Sequence, residues 1–196
     1  MIPSVVVNEF EKVQTKFLYQ GQALHGVNPP EMGFGYFCFS HMIPPFKPEH
    51  MLILGYGTGV VAELTRKIHG DQIKITGVDL KAYDGPYVEY KVKVMDAYDY
   101  VKGNTKDTFV KNIPLVGNVK HDVTVIDLWN GDDVVDFMFD VDFVVRVREM
   151  TTKLLCMNIK DVDFKRCQAY NDYGWKFDRF VQCEANRIVW WSTVNK

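Results

Sequence analysis

MLILGYGTGVVAEL, residues 51–64, runs four apolar residues into Gly55-Tyr56-Gly57-Thr58-Gly59 and then into apolar residues at helical spacing. A continuous apolar run of this kind reads as a strand buried on both faces. Val60, Val61, Leu64 and Ile68 fall on one face of a helix that Gly70 stops. Three glycines between a buried strand and a helix have two explanations. One is a plain tight turn. The other is a cradle, in which a backbone without Cβ atoms approaches a ligand at a helix N-terminus, where free N–H groups and the positive dipole end gather.

Outward from this stretch the alternation of strand and helix continues. QIKITGVDL (72–80) reads as a second strand, and VEYKVKVM (88–95), with its period of two, as a third. DAYDYVKG (96–103) is a short helix opened by Asp96 as N-cap. HDVTVIDL (121–128) is a fourth strand, DDVVDFMFDVDFVVRVREM (132–150) a long helix with a broad apolar face, and TKLLCMNIK (152–160) a fifth strand. WKFDRFVQC (175–183) and NRIVWWSTV (186–194) form a closing antiparallel pair. On the N-terminal side, TKFLYQGQALHG (15–26) reads as a hairpin around Gln20-Gly21, GVNPPEMGFG (26–35) as a loop, and YFCFSHMI (36–43) as a short helix ended by prolines. The expectation is an α/β protein with a mainly parallel sheet and an antiparallel terminal strand. Residues 1–35 are expected to form an N-terminal extension, and residues 36–196 the ligand-binding domain. In such sheets ligands bind outside the carboxyl ends of the strands, so the residues just after each strand carry the functional question.

Bulk properties narrow the field. The chain has 196 residues, 47% hydrophobic and 24% charged, which is globular composition. A net charge of −2 supplies no basic footprint, so nucleic acid is not an expected partner. Cys38, Cys156, Cys167 and Cys183 form no C-x-x-C pair, and His25, His41 and His69 have no partners at metal-ligand spacing, so no metal is expected. The opening MIPSVVVNEFEK lacks the basic start and apolar stretch of a signal peptide, and no apolar run approaches the roughly 20 residues of a bilayer span. A soluble, cytoplasmic protein is the resulting expectation.

The strand ends carry one ligand's worth of chemistry. Asp79, about twenty residues past the glycines, is placed to accept from both hydroxyls of a ribose; its competing reading is a strand-end cap. Position 60 is Val, so the dinucleotide G-x-G-x-x-G is incomplete, and the match is better to the G-x-G-x-G of proteins that bind S-adenosylmethionine. Asp96 and Ala97 follow the third strand, where such proteins hold the adenine, a role compatible with Asp96 also capping its helix. Asp127 follows the fourth strand and would emerge at the reactive end of the ligand, or else cap the next turn. Asn130, Asp132 and Asp133 come next, an acidic loop that suits a cationic acceptor or the start of a helix, where the dipole favours acids.

These segments together resemble the spermidine synthase-like branch of the class I S-adenosylmethionine-dependent transferases. HDVTVIDLWNGDDVVDFMFDVDFVVRVREMTTKLLCMNI matches that branch's strand ending in Asp, aromatic-Gly-Asp loop, helix, and strand ending in Asn; MLILGYGTG, Asp79 and MDAYDYV match its cofactor motifs in order; FLYQGQALHG resembles its N-terminal hairpin. The resemblance implies a Rossmann-like, seven-stranded fold with S-adenosylmethionine as cofactor. It implies that Gly55, Tyr56, Gly57, Thr58 and Gly59 meet the methionine-derived part, Asp79 and Leu80 the ribose end, Asp96 and Ala97 the adenine, and that catalytic Asp127 orients or deprotonates an acceptor amine. Gln22, His25, Trp129, Asn130 and Asp132 are expected on the acceptor side.

Two departures bear on the reaction. Aminopropyltransferases usually carry an acid in the glycine loop, where this chain has Thr58, and an Asp-x-x-Asp pair where it has Asp127 and Asn130. An acid in the loop suits decarboxylated S-adenosylmethionine and repels the carboxylate of the intact cofactor. Methyl transfer to a small amine-bearing or polar acceptor is therefore the leading expectation, aminopropyl transfer from decarboxylated S-adenosylmethionine the alternative, and a non-catalytic cofactor-binding relative the third. Asp127, Lys160 and Glu184 also match part of the Lys-Asp-Lys-Glu set of ribose methyltransferases, but no lysine stands in its fourth place. A homodimer is expected, with one of Trp190 and Trp191 packed inward and the other available to a partner subunit; the apolar helix could also be covered by a partner, but burial in the chain's own core is its preferred reading.

Overall fold

The run at 50–54 is a strand because both of its faces are covered. Leu52 and Leu54 enter a core on one side of the sheet, and Met51 and Ile53 a second core on the other. The computed structural model describes residues 17–20, 23–27, 38–81, 92–103, 119–183 and 186–194, with backbone only over 17–27.

The described residues include eleven strands, four α-helices with described bounds and helical residues at 38–40, within the short helix expected over 36–43. A hairpin of β1 (Phe17–Gln20) and β2 (Ala23–Val27) comes first. The strand β3 (His50–Leu54) leads into α1 (Val60–His69), and β4 (Lys74–Asp79) and β5 (Val92–Val94) precede α2 (Ala97–Lys102). After β6 (His121–Ile126) come the two-residue strands β7 (Trp129–Asn130) and β8 (Asp133–Val134), then α3 (Val141–Met150) and the long β9 (Thr151–Lys160). A 3-10 segment (Asp161–Cys167), α4 (Gln168–Asp172), β10 (Trp175–Cys183) and β11 (Asn186–Thr193) close the chain.

Seven strands form one sheet in the order β10-β11-β9-β6-β3-β4-β5. The ladders from β5 through β9 are parallel, while β11 runs antiparallel to both neighbours. This is the expected seven-stranded, mainly parallel α/β sheet. The last strand of the chain is second from the edge in space, because β11 inserts between β9 and β10. Strand order reverses at β3, which has β4 on one side and β6 on the other. The crevice at such a reversal, between the carboxyl ends of β3 and β6, is where open α/β sheets take ligands.

Three expectations are corrected. The long helix expected over 132–150 is three elements: β8, a 3-10 turn at Asp136–Phe139 and α3. Gly131, at φ 64°, turns Asp133–Val134 back to pair with Trp129–Asn130, which removes the first residues from any helix. The Met138 carbonyl is then taken by the buried Tyr170 hydroxyl at 2.6 Å, which holds the 3-10 turn apart from α3. Second, neither Trp190 nor Trp191 is a free surface. An inserted strand has both faces covered, so Trp190 packs into one core and Trp191 into the other. The apolar face of α3 (Phe143, Val144, Val147 and Met150) is buried in the chain's own core, in keeping with the core-burial reading of that face. Third, Ile68, placed by its spacing on the buried face of α1, is 36% exposed in the last turn.

Candidate functional site

The turn after β3 is built to pass very close to the end of β6. Asp127 N–H donates to the Leu54 carbonyl at 2.8 Å, and Gly55 and Tyr56 N–H both donate to the Val78 carbonyl at 2.9 and 3.1 Å. Gly55 has φ 83°, and a Cβ there would lie 2.1 Å from the Asp127 carbonyl oxygen. Glycine is required for both reasons: the left-handed backbone and the absence of space. The chain then turns over a filled floor. Tyr56 points down into the core, and a Cβ on Gly77 of β4 would sit 2.3 Å from its ring. Gly57 and Gly59 continue the left-handed path to the start of α1. Thr58 is 5% exposed. The loop therefore offers its backbone to the crevice, while the Tyr56 side chain serves as its support.

Asp79 ends β4 and braces this loop. Its Oδ2 accepts from Gly57 N–H at 2.8 Å and its Oδ1 from Lys81 N–H at 3.1 Å. A carboxylate has about four acceptor sites, so both oxygens keep capacity for ligand hydroxyls. The strand-cap and ligand readings of Asp79 are thus compatible. Beside it, Leu80 is 66% exposed and Val94, opposite Asp79 in the β4–β5 ladder, is 56% exposed. Apolar side chains left open at neighbouring strand ends suit a flat, partly apolar ligand group. Asp96 caps α2, its side chain accepting from Tyr98 N–H at 2.7 Å, and Ala97 is buried beneath it.

Asp127 is held by two neutral donors. Trp129 Nε1–H donates to its Oδ1 at 2.8 Å, and Asn158 Nδ2–H donates to the same oxygen at 2.9 Å. Among the described residues its Oδ2 has no hydrogen-bond partner. Burial pushes its pKa up to about 6, the two donors pull it down, and the charge of Asp79 pushes it up further. The carboxyl group therefore titrates near neutrality, where a proton acceptor is useful. No group of three or more metal-ligating side chains occurs among the described residues.

The structure gathers some of the expected residues and leaves others aside. Gly55, Gly57, Asp79 and Asp127 converge on the β3–β6 crevice. Asn130 and Asp132 lie exposed on the β7–β8 hairpin, beside Trp129, and the neighbouring Asp133 is neutralised by an ion pair with Lys160. Gln22 lies outside the described residues, and His25 is the extra residue of a bulge in β2. The contact between Asp127 and Asn158 was not read from sequence, since 31 positions separate them. The parallel register of β6 with β9 creates it: Ile126 lies opposite Met157, so the next residue of each strand stands side by side.

No known family profile matches the chain, and no curated protein matches it in sequence. Solved structures do match in shape. Spermidine synthase in complex with the transition-state analogue AdoDATO superposes at TM-score 0.63, with 11% identity over 90% of this chain and 66% of that one. The ribosomal protein L11 methylase of Lactobacillus delbrueckii subsp. bulgaricus matches at TM-score 0.54 and 11% identity, over 83% of this chain and 77% of that one. A Burkholderia thailandensis 1,6-didemethyltoxoflavin-N1-methyltransferase, solved with bound 1,6-didemethyltoxoflavin and S-adenosylhomocysteine, matches at TM-score 0.53 and 9% identity, over 76% of this chain and 72% of that one. The chain thus spans about two thirds of the synthase. At these identities the likeness is one of fold: the chain has the Rossmann-like fold of the class I S-adenosylmethionine-dependent transferases.

Proposed function

We propose that the chain is an S-adenosylmethionine-dependent transferase that moves a methyl group to a small amine-bearing or polar acceptor. The observation that carries this reading is the meeting of three strand ends at one crevice. An open glycine backbone, a ribose-type acid bonded to that backbone, and a second acid titrating near neutrality lie together where the strand order reverses. The residues fit the cofactor by their chemistry. The glycine loop presents backbone to the methionine-derived part, Asp79 has capacity for ribose hydroxyls, and exposed Leu80 and Val94 flank the place of a base near Asp96. Asp79 and Asp127 also set negative charge around the space a cationic sulfonium group needs.

When bound, S-adenosylmethionine supplies a carbon already activated by its sulfonium. The protein then has to align the acceptor and accept a proton. Asp127 is suited to the second task, because Trp129 and Asn158 lock its Oδ1 and leave Oδ2 for the acceptor. Aminopropyl transfer is the second reading, supported by the spermidine synthase likeness over 90% of the chain. It is disfavoured by the absence of any acid in Gly55–Gly59.

Competition titration with intact and decarboxylated S-adenosylmethionine decides between them. The intact cofactor is expected to bind at least as well as the decarboxylated one. Strong preference for the decarboxylated form would replace methyl transfer with aminopropyl transfer, and binding of neither would remove the transferase reading.

A further inference from the structure

The strand β10 lies at the outer edge of the sheet, with β11 on one side and no described strand on the other. Its middle, from Lys176 to Phe180, is exposed. An open strand edge presents unpaired N–H and C=O groups, and proteins normally blunt it with charges or a bulge. Both devices occur here, in an arrangement that fits a copy of itself. Phe177 lies opposite Trp191 and Arg179 opposite Trp190, so Asp178 is the extra residue of a bulge. Phe180 lies opposite Val189, and Phe177 and Phe180 therefore share the face of Trp191 and Val189, which enter one core. Arg179 takes the face of Trp190, which enters the other. Asp178 joins Arg179 there: its Oδ1 accepts from Ser192 Oγ at 3.1 Å, and Ser192 stands two residues from Trp190 along β11. One face of the edge thus carries an acid followed by a base, and the other carries two phenylalanines.

We propose that the outer edge of β10 is a homodimer interface, at which two copies of this chain pair antiparallel about a two-fold axis between Asp178 and Arg179. The inference is independent of the transferase reading. A two-fold interface has to be self-complementary. Adjacent residues of an unbroken strand face opposite sides of the sheet, so a two-fold between them sets each side chain against one from the wrong face. The bulge removes that obstacle, because Asp178 and Arg179 share a face. The axis then places Asp178 against Arg179 of the partner subunit, and Phe177 against Phe180 of the partner subunit, each pair occurring twice. Among the described residues neither Asp178 nor Arg179 has an ion-pair partner within its own chain. The two rings, 38% and 44% exposed, are already ordered. Phe164 packs against Phe177 and Phe180 at 6.1 and 5.4 Å between centroids, and the Arg187 guanidinium lies over Phe164 and Phe180 at 4.5 and 4.7 Å. Arg187 is itself held by Asp161 and Gln182. Aromatic side chains are enriched at the centres of interfaces, and those fixed beforehand lose less freedom on association. A different protein would have to match the acid-base order of this edge, whereas a second copy matches it by symmetry.

Sedimentation equilibrium of the full chain over a range of concentrations tests this, and a monomer–dimer equilibrium is expected. Asp178→Arg sets like charges against each other in both pairs, and so does Arg179→Asp. Each variant alone is expected to raise the dimer dissociation constant at least about tenfold. An equimolar mixture of the two is expected to form the heterodimer, in which both acid-base pairs are complete again. Loss of the Asp178 bond to Ser192 within one chain would not be repaired by mixing, so the mixture separates an interface role from a structural one. Should either variant fail to fold, amide hydrogen exchange of the native chain gives a second reading. Alternate amides over 176–181 are expected to gain protection as concentration rises, while those of β5 at the opposite edge stay unchanged. A chain that is monomeric throughout, a dimer indifferent to both charge reversals, a mixture that stays monomeric, or exchange over 176–181 independent of concentration overturns the inference.

Discussion

Asp79 and Asp127 are both acids at strand ends, yet the structure gives them different work. Asp79 takes backbone N–H groups from the glycine loop and from Lys81, so it shapes the loop as well as facing the crevice. Replacing it with alanine removes the bond to Gly57 and the capacity for ribose hydroxyls together. Hydrogen bonds to charged groups are worth roughly 1.5–3 kcal/mol, so Asp79→Ala is expected to weaken S-adenosylmethionine binding at least about tenfold by calorimetry. Unchanged affinity in a folded variant would remove Asp79 from the site. Asp127 instead titrates at about 6 because it is buried. A cationic ligand favours the ionised form, so affinity for S-adenosylmethionine is expected to fall as pH drops below about 6, where the carboxylate takes up its proton. Asp127→Asn is expected to flatten that dependence. The uncharged S-adenosylhomocysteine sulfur serves as the control, with a shallower pH profile in the native protein.

At the scale of elements, the glycine loop stands on a packing contact between consecutive strands. Tyr56 from the end of β3 occupies the space over Gly77 in β4. A Cβ at position 77 would meet the ring at 2.3 Å, against backbone hydrogen bonds that hold Gly55 and Tyr56 to Val78. Gly77→Ala is therefore expected to lower stability by about 1–3 kcal/mol, the usual range for overpacking a core. Urea unfolding of the single and double variants tests the cause. With Tyr56→Ala the clash disappears, so the double variant is expected to lose less than the two single losses added together. Strict additivity would show that ring and Cβ do not compete. The β7–β8 hairpin is a second case of an element fixed by its neighbours, tied to Asp127 through Trp129 and to β9 through the pair of Asp133 with Lys160.

For the whole molecule, two titrating groups at opposite ends of β6, buried His121 and partly buried Asp127, pull stability in opposite directions. His121 begins the strand and is 1% exposed. Burial, with His50 adding to it, lowers its pKa from 6.5 to about 4. The unfolded chain then binds this proton more readily than the folded one, so the contribution of His121 is complete above about 6.5 and is lost as pH falls toward 4. Asp127 has the reverse sign. Its folded pKa of about 6 exceeds the ordinary 3.8, so its contribution is complete at low pH and is lost as pH rises through 6. Each is worth about 3 kcal/mol across that window at roughly 1.4 kcal/mol per pKa unit, and they largely offset. Relative to the native protein, Asp127→Asn is expected to lose more stability on acidification from pH 6.5 to 4, and His121→Leu to gain it. Denaturant melts at several pH values read both slopes, and parallel profiles for the two variants would refute the assignment.

By itself the sequence determined the elements whose neighbours lie close along the chain. The apolar run of β3, the glycine turn, the N-cap at Asp96 and the strand ends at Asp79 and Asp127 are local patterns, and local patterns follow from spacing and propensity. The alternation of strand and helix likewise determined a parallel sheet, and with it the end of the sheet at which a candidate site was to be sought. Tertiary structure alone decided what depends on register and on insertion. Residues 132–150 carry enough apolar spacing for a long helix, but Gly131 and the Tyr170 hydroxyl, the latter arriving from α4, divide them into three elements. Trp190 and Trp191 are both internal because β11 enters between two strands, a placement that no periodicity records. Asn158 reaches Asp127 because β6 and β9 pair with Ile126 opposite Met157. Period and capping act over a few residues, whereas register is set by the packing of whole strands, and so the partners of Asp127 emerge only when the sheet is assembled.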